Sequence, residues 1–249
     1  MGKSVARVTK PEVVPPLRDG DRLTGREFLR RYEADRSVAR AELINGVVYI
    51  NARRRPDGTE DRIPPIAAEG HSTPQSDVLG LCFNYMLQTP GVRPCGPTTV
   101  IVSGNTLPEP DALMYVRPEY GGQCAPNRKD YLDGPPELLV EVANTSVRRD
   151  MGPKYEAYQA GGVQEYLVWR TADREFHLFA LKRGRYQPVQ PTADGVLQSV
   201  AFPGLWLDTA ALLASDLRKA LETLQQGLAT PEHAAFVAKL AAAKRKRKK

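Results

Sequence analysis

The sequence predicts an α/β fold: a mixed β-sheet core flanked by helices, with a helical extension at the C-terminal end. Three observations carry this. Residues 137–170 read strand–helix–strand, a unit whose two strands run parallel and are joined by a right-handed crossover. Two hairpin patterns, at 39–50 and 174–189, supply antiparallel strands. Beyond residue 215 only helical periodicity remains. The expected division is a disordered N-terminal lead over 1–21, the α/β domain over 22–215, a helical extension over 216–243 and a basic tail over 244–249.

Length and composition permit such a domain. A chain of 249 residues can bury a sizeable core, and 41% hydrophobic with 26% charged residues is ordinary for a soluble globular protein. No run approaches the ~20 apolar residues of a membrane helix, and the opening segment lacks the apolar stretch of a secretory signal. The expected location is the cytoplasm, with no membrane partner.

The elements follow in order. Over 23–35, Thr24 stands as N-cap of a short helix with Phe28, Leu29 and Tyr32 on one face. Residues 39–50 form two strands around Asn45-Gly46, the strongest short hairpin signal. Residues 51–69 are polar and Pro-rich, hence a loop. Leu79, Cys82, Phe83 and Met86 lie at helical spacing over 71–88, and Pro90-Gly91 ends that helix. Strands are expected at 92–95, 97–102 and 110–116, then a long loop over 117–136 of the kind that is usually functional or mobile. A strand at 137–143 leads to a helix at about 150–160, with Asp150 as N-cap and Gly161-Gly162 as its close. The next strand covers 163–170. At the end, Ser215 caps a helix over 215–227 with Leu217, Leu221 and Leu224 on one stripe. Thr230 caps another over 230–244, with Pro231 at its first position.

Charge is unevenly placed. Six of the 35 Lys and Arg are Lys244, Arg245, Lys246, Arg247, Lys248 and Lys249, so the remainder balances the 29 Asp and Glu. Such a tail can hold phosphate backbones without sequence preference; a solvated end is the plain alternative. Cys82, Cys95 and Cys124 contain no CxxC pair, which argues against a zinc site or disulfide framework and for a reducing compartment. His71, His177 and His233 share no metal-ligand spacing. Any metal would have to be held by oxygen.

Two carboxylates stand out. Strand alternation puts Asp111, Leu113 and Tyr115 on one side, and Glu137, Leu139, Glu141 and Ala143 on one face of their strand. A carboxylate inside an apolar strand such as "ELLVEVA" is costly unless compensated. Mg²⁺ would compensate it, because that hard cation takes one or two carboxylates with waters and substrate phosphate. An Arg neighbour, or exposure at a strand end, would serve as well. Lys154 and Glu42 add weight to the pair.

Taken together, "AELINGVVY", "GHSTPQSDVLG", "EPDALMYV", "LLVEVANTS" and "DMGPKYEAYQAGGVQEYLVW" resemble the PD-(D/E)XK nuclease superfamily, in its bacterial restriction-endonuclease branch of the Uma-two type. The resemblance covers about 22–215 and implies a restriction-endonuclease-like core. It implies an Mg²⁺-dependent endonuclease acting on DNA, with Mn²⁺ as a substitute metal and homodimerisation open. Asp111 and Glu141 would be the metal ligands, Lys154 the catalytic lysine that orients or deprotonates the attacking water, and Glu42 a supporting acid. In the commonest superfamily pattern the lysine lies two residues past the acid. Ala143 stands there, so Lys154 would reach in from the following helix. His71 matches a family position, although a histidine bonding its own turn is the simpler reading. Tyr158, one helical turn past Lys154, could hold that lysine or pack in the core. Arg53, Arg54 and Arg55 could meet phosphates from a solvated loop. The alternatives are an inactive nucleic-acid-binding protein on the same fold, or a protein-interaction module whose leucine stripe binds a partner.

Overall fold

Thr24 begins α1 (Gly25–Ala34) by accepting the Glu27 amide on its side-chain oxygen. Phe28 from this helix is buried against the first hairpin, β1 (Val38–Ile44) and β2 (Val47–Arg54). Asn45 and Gly46 join those strands at φ 49° and 78°, the left-handed pair that a two-residue turn needs. The computed structural model describes residues 14–62 and 67–247, with Arg62 and Arg247 given as backbone only. Residues 1–13 of the expected lead, 63–66 of the expected loop, and Lys248 and Lys249 of the tail lie outside the described residues.

The segment from 51 is not all loop. β2 runs on through Arg54 and pairs with β3 (Glu60–Arg62). The Asp57-Gly58 turn explains this: Gly58 takes φ 85°, while Asp57 accepts from the Thr59 amide and hydroxyl at 2.9 and 2.7 Å. A π-helical turn, Ala68–Ser72, then feeds α2 (Thr73–Gln88).

β4 (Val92–Cys95) follows as expected. Of the expected strand at 97–102 only β5 (Val100–Ile101) forms; Pro97, which has no N–H to donate, precedes it. β6 (Ala112–Val116) comes next. The long connection to residue 136 is tied down by β7 (Ala125–Pro126) and β8 (Leu132–Asp133), which join β5 in a small sheet of order β5-β8-β7.

β9 (Leu138–Ala143) leads into a continuous helical stretch: α3 (Val147–Arg149), a π-helical turn (Asp150–Lys154) and α4 (Tyr155–Gly161). The helix thus starts earlier than expected, and Asp150 is an interior residue instead of the cap. Pro153 lacks an N–H, and a wider turn absorbs the gap that this leaves in the ladder. Gly162, at φ 84°, closes the helix.

β10 (Glu165–Arg170) is parallel to β9, with Val168 opposite Glu141, as the strand–helix–strand reading requires. β11 (Glu175–Lys182) and β12 (Arg185–Val189) complete a mixed sheet of order β12-β11-β10-β9-β6-β4. A short hairpin, β13 (Val196–Gln198) with β14 (Trp206–Asp208), precedes α5 (Thr209–Leu213), α6 (Leu217–Leu228) and α7 (Pro231–Arg247). Asp216, not Ser215, caps α6 by accepting from the Lys219 amide at 3.0 Å. Ser215 instead turns the chain at φ 55°. Thr230 caps α7, accepting from the His233 amide at 3.3 Å.

Both faces of the sheet are covered. On one, Met114, Leu138, Val140 and Leu167 pack with Val78 and Tyr85 of α2, Leu224 and Leu228 of α6, and Leu240 of α7. On the other, Leu113, Leu139 and Tyr166 pack with Ala157 and Tyr158 of α4. Full burial of one such apolar side chain stabilises by roughly 1.5–3 kcal/mol. The leucine stripe of α6 is therefore mostly spent on the chain's own core; of Leu217, Leu221, Leu224 and Leu228 only Leu217 is exposed, at 44%. Among the described residues, no helix is long and apolar enough to cross a membrane.

Candidate active site

β6 and β9 run antiparallel, with Leu113 opposite Leu139 and Ala112 opposite Val140. One step further along that register, Asp111 faces Glu141 on the same side of the sheet. The Asp111 Oδ2 accepts the Val142 amide at 2.7 Å, which fixes the carboxylate at the strand's end. Its Oδ1 lies 3.2 Å from the His71 Nε2, while the His71 Nδ1 lies 2.8 Å from the Val142 carbonyl. Both ring nitrogens thus face acceptors, an arrangement that a doubly protonated imidazolium satisfies. The hydrogen bond to Asp111 raises the His71 pKa despite partial burial, with the Asp111 charge adding to it. His71 comes from the π-turn before α2, and Gln75 of α2 donates to the Asp111 carbonyl at 2.7 Å.

Behind this pair lies a second group. The Lys154 Nζ sits 2.8 Å from Glu42 Oε1, 2.9 Å from Glu141 Oε1 and 3.8 Å from Asp150 Oδ1. The Tyr158 hydroxyl donates to the same Glu141 oxygen at 2.8 Å. Glu42 is held from three sides: Oε1 accepts the Glu109 amide at 2.9 Å, Oε2 accepts the Asn51 amide group at 2.9 Å, and Arg149 stands 3.7 Å away. Arg149 in turn donates to the Asn51 Oδ1 at 2.9 Å. Glu42, Glu141, Asp150 and Lys154 are all 1–3% exposed.

The charges in this buried group do not balance. Lys154 and Arg149 face Glu42, Glu141 and Asp150, one carboxylate too many. Burial would raise the Glu42 pKa, but Lys154 and Arg149 outweigh it and hold the carboxyl below the usual range. Burial dominates at Glu141, whose carboxyl is pushed well above that range against the pull of Lys154; Asp150, Asp111 and Glu42 add to the push. Burial alone would discharge Lys154, yet Glu141, Glu42 and Asp150 together keep it protonated above its ordinary value. The Glu42–Lys154 contact is thus the settled ion pair, and Glu141 is the carboxylate in excess. Among the described residues, Asp150 Oδ1 and Arg149 Nε are buried without a hydrogen-bond partner.

The structure brings together every residue expected at the centre: Asp111 and His71 in an outer pair; Glu42, Glu141, Lys154 and Tyr158 in an inner cluster. Asp150 meets Lys154 as their i,i+4 spacing implies, and Arg149 is a member that the sequence reading lacks. The D-x-x-x-K spacing of Asp150 and Lys154 puts both on one helix face and was the available signal. Asn51, two residues past the Tyr49 that pairs with Glu42, is within reach of Glu42 through the register of the β1–β2 hairpin. Arg53, Arg54 and Arg55 stand elsewhere and exposed: the first two end β2, and Arg55 pairs with Asp61 at 2.9 Å. Lys244 is no loose tail residue. It donates to the Tyr120 hydroxyl at 2.7 Å and lies 4.6 Å from that ring's centroid, and α7 carries Arg245 and Lys246 outward.

Among the described residues, no three His, Cys, Asp or Glu side chains are arranged to hold a metal ion. Two neighbouring carboxylates, of which Glu141 is the one in excess of the buried cations, still fit Mg²⁺, which often takes only one or two carboxylates from a protein.

A central mixed sheet between helical layers, with Asp111, Glu141 and Lys154 gathered at the ends of its strands, is the frame in which the likeness to known proteins stands. The chain belongs to the Uma2 family, described as "Putative restriction endonuclease", whose profile matches residues 26–210. Its fold is similar to that of a "putative nuclease belonging to DUF820" from Anabaena variabilis ATCC 29413, with a TM-score of 0.53 and 13% identity over 77% of this chain and 98% of that one. No curated protein matches.

Proposed function

We propose that the protein is a divalent-metal-dependent endonuclease that hydrolyses phosphodiester bonds, with DNA as its substrate. The observation that supports this reading is Asp111, just before β6, standing next to Glu141 of β9, the one carboxylate of the buried cluster in excess of its cations. Asp111 and Glu141 would hold Mg²⁺, or Mn²⁺ in its place. When bound, the cation supplies a Lewis acid that polarises a phosphoryl oxygen and offsets developing charge.

The chain's own residues have separable parts in this reading. Lys154 lies 2.8 Å from Glu42 and 2.9 Å from Glu141, which favours its charged form. It serves as a fixed positive charge that orients Glu141 and supports negative charge developing at the phosphate. Glu42 positions Lys154, and Tyr158 positions Glu141. His71 holds the Asp111 carboxylate and the Val142 carbonyl in register.

One observation favours a second reading, a nucleic-acid-binding protein on this fold that does not cut. Glu141 and Lys154 lie below the surface, and the Glu141 Oε1 is already shared between Lys154 and Tyr158. Conversion of supercoiled plasmid to nicked or linear forms separates the two. Wild type should cut with Mg²⁺ and not in EDTA, and Asp111→Ala should lose ~100-fold or more, the scale for removing a charge-stabilising element. DNA binding without cutting, in Mg²⁺ and in Mn²⁺, would favour the second reading.

A further inference from the structure

Three cationic side chains touch the carboxylates of the candidate active site, and only one keeps a donor that a ligand can reach. The Lys154 side chain is 3% exposed, and its ammonium is taken up by Glu42 and Glu141. His71 is 21% exposed, but its two ring nitrogens face Asp111 and the Val142 carbonyl. The Arg149 side chain is 28% exposed. Its Nη1 donates to the Asn51 Oδ1 at 2.9 Å, and its Nε is enclosed. Its Nη2 makes no hydrogen bond among the described residues and is not enclosed.

The chain holds this guanidinium in one orientation. Val147 begins α3 four residues past the end of β9, and the helix brings Arg149 back beside Glu42, at 3.7 Å. Tyr49 pairs with Glu42 in the β1–β2 register, so Tyr49, Glu42 and Asn51 share one face of the hairpin. Asn51 bridges acid and base: its amide group donates to Glu42 while its oxygen accepts from Arg149. The Arg149 Cζ lies 5.5 Å from the Tyr49 ring centroid, within cation–π range. Burial opposes the charge on Arg149, and Glu42, Asp150 and Glu141 more than offset that. Neutralising Glu42 is not its whole use. Lys154 does that at 2.8 Å, whereas Arg149 stands beyond hydrogen-bond distance of the same carboxylate. A guanidinium already fixed loses little freedom when it binds an oxyanion, and its donors match phosphate oxygens.

We propose that Arg149 is the substrate-contacting cation of this site: its Nη2 donates to a phosphate oxygen of the DNA backbone. The inference rests on the reading of the protein as one that acts on DNA. Lys154 then works from behind, on Glu141, and does not touch the phosphate. A phosphate contact carries no base information, so Arg149 adds affinity and register without sequence preference.

A labelled duplex of mixed sequence is titrated in EDTA, where no cutting is expected, over a series of salt concentrations. Anisotropy gives log K against log salt for wild type, Arg149→Gln and Arg149→Lys, and thermal melts check that both variants fold. The glutamine should weaken binding by about tenfold or more, the scale of a hydrogen bond to a charged group. It should also flatten the slope by ~0.9, the value of one phosphate contact. The lysine keeps the charge, so its slope should stay at the wild-type value while affinity falls, because an ammonium lacks the planar fork. A merely structural arginine would lower the melting temperature without moving the slope. A wild-type slope in Arg149→Gln, or an equal loss of slope in both variants, overturns the inference. Labelling of wild type with phenylglyoxal, which modifies guanidinium groups, needs no variant. DNA should slow the modification of Arg149, and equal labelling with and without DNA overturns the inference too. Failure of wild type to bind DNA removes it along with the reading beneath it. Binding that depends on Arg149 with plasmid left intact loses only the endonuclease reading. Cutting, with a wild-type slope in Arg149→Gln, loses only the arginine contact.

Discussion

The outer pair and the inner cluster each set a carboxylate against a cationic side chain, in different environments. The side chains of Asp111 and His71 keep 18% and 21% of their exposure, whereas those of Glu42, Lys154 and Glu141 keep 1%, 3% and 4%. Charges in the outer pair can be exchanged for a ligand's charges at little structural cost. Those in the inner cluster are fixed by the elements that carry them: β1, β9 and the Pro153 π-turn. On the endonuclease reading the difference would separate meeting a ligand from holding the parts that meet it, with Glu141 sharing in both.

The largest expected effect breaks the inner cluster. Lys154→Ala leaves Glu42 and Glu141 facing each other without their shared cation, and such a loss costs about 3–5 kcal/mol. Urea unfolding measures it. Asp111→Ala should move the midpoint far less. Equal midpoints for Lys154→Ala and wild type would mean that the cluster is not part of the scaffold.

Glu141→Gln should act in the opposite direction. Its carboxyl has a raised pKa in the folded state, so the stability it contributes is fully present below the unfolded value near 4.5 and is lost as pH rises through the folded value. The amide does not titrate, keeps an acceptor for Tyr158, and leaves Lys154 paired with Glu42. In EDTA the variant should therefore melt above wild type at neutral pH, and the gap should close toward acid. Mg²⁺ should raise the melting temperature of wild type more than that of the variant.

A smaller effect is expected at the outer pair. The His71 pKa is raised on folding, so its contribution is fully present below about 6.5 and is lost as pH climbs through the folded value. Thermal melts of His71→Gln beside wild type should differ most below about pH 6.5 and converge at alkaline pH; a constant gap would make the histidine a packing residue.

The smallest effect concerns the C-terminal end. Removing 245–249 should flatten the dependence of log K for DNA on log salt by at most ~0.9 for each phosphate no longer neutralised. Lys244→Ala should add little, since Tyr120 holds that lysine. An unchanged slope would make the end a bystander.

The sequence made much of this site legible, and the reasons are local. Asn45-Gly46, alternation in "ELLVEVA" and the capping Thr24 each encode geometry within a few residues, so the hairpin, the β9 face and α1 were readable. Glu141 stood out because an ionised group within an apolar strand has few explanations. Asp150 reads as a cap because an acid at a helix start is ordinary; the effect of Pro153 on the helical ladder moves the true start to residue 147. Arg149 meets Glu42 and Asn51 only through tertiary folding of the helix against the β1–β2 hairpin, which no spacing records.

The central claim is that Asp111 and Glu141 together hold a divalent cation in front of a fixed lysine. Calorimetric titration of Mg²⁺ and of Mn²⁺ into wild type, Asp111→Ala and Glu141→Gln tests it most directly. Wild type should show a saturable site that is lost or strongly weakened in both variants while their melting transitions stay cooperative. Unchanged binding in both variants would contradict the assignment.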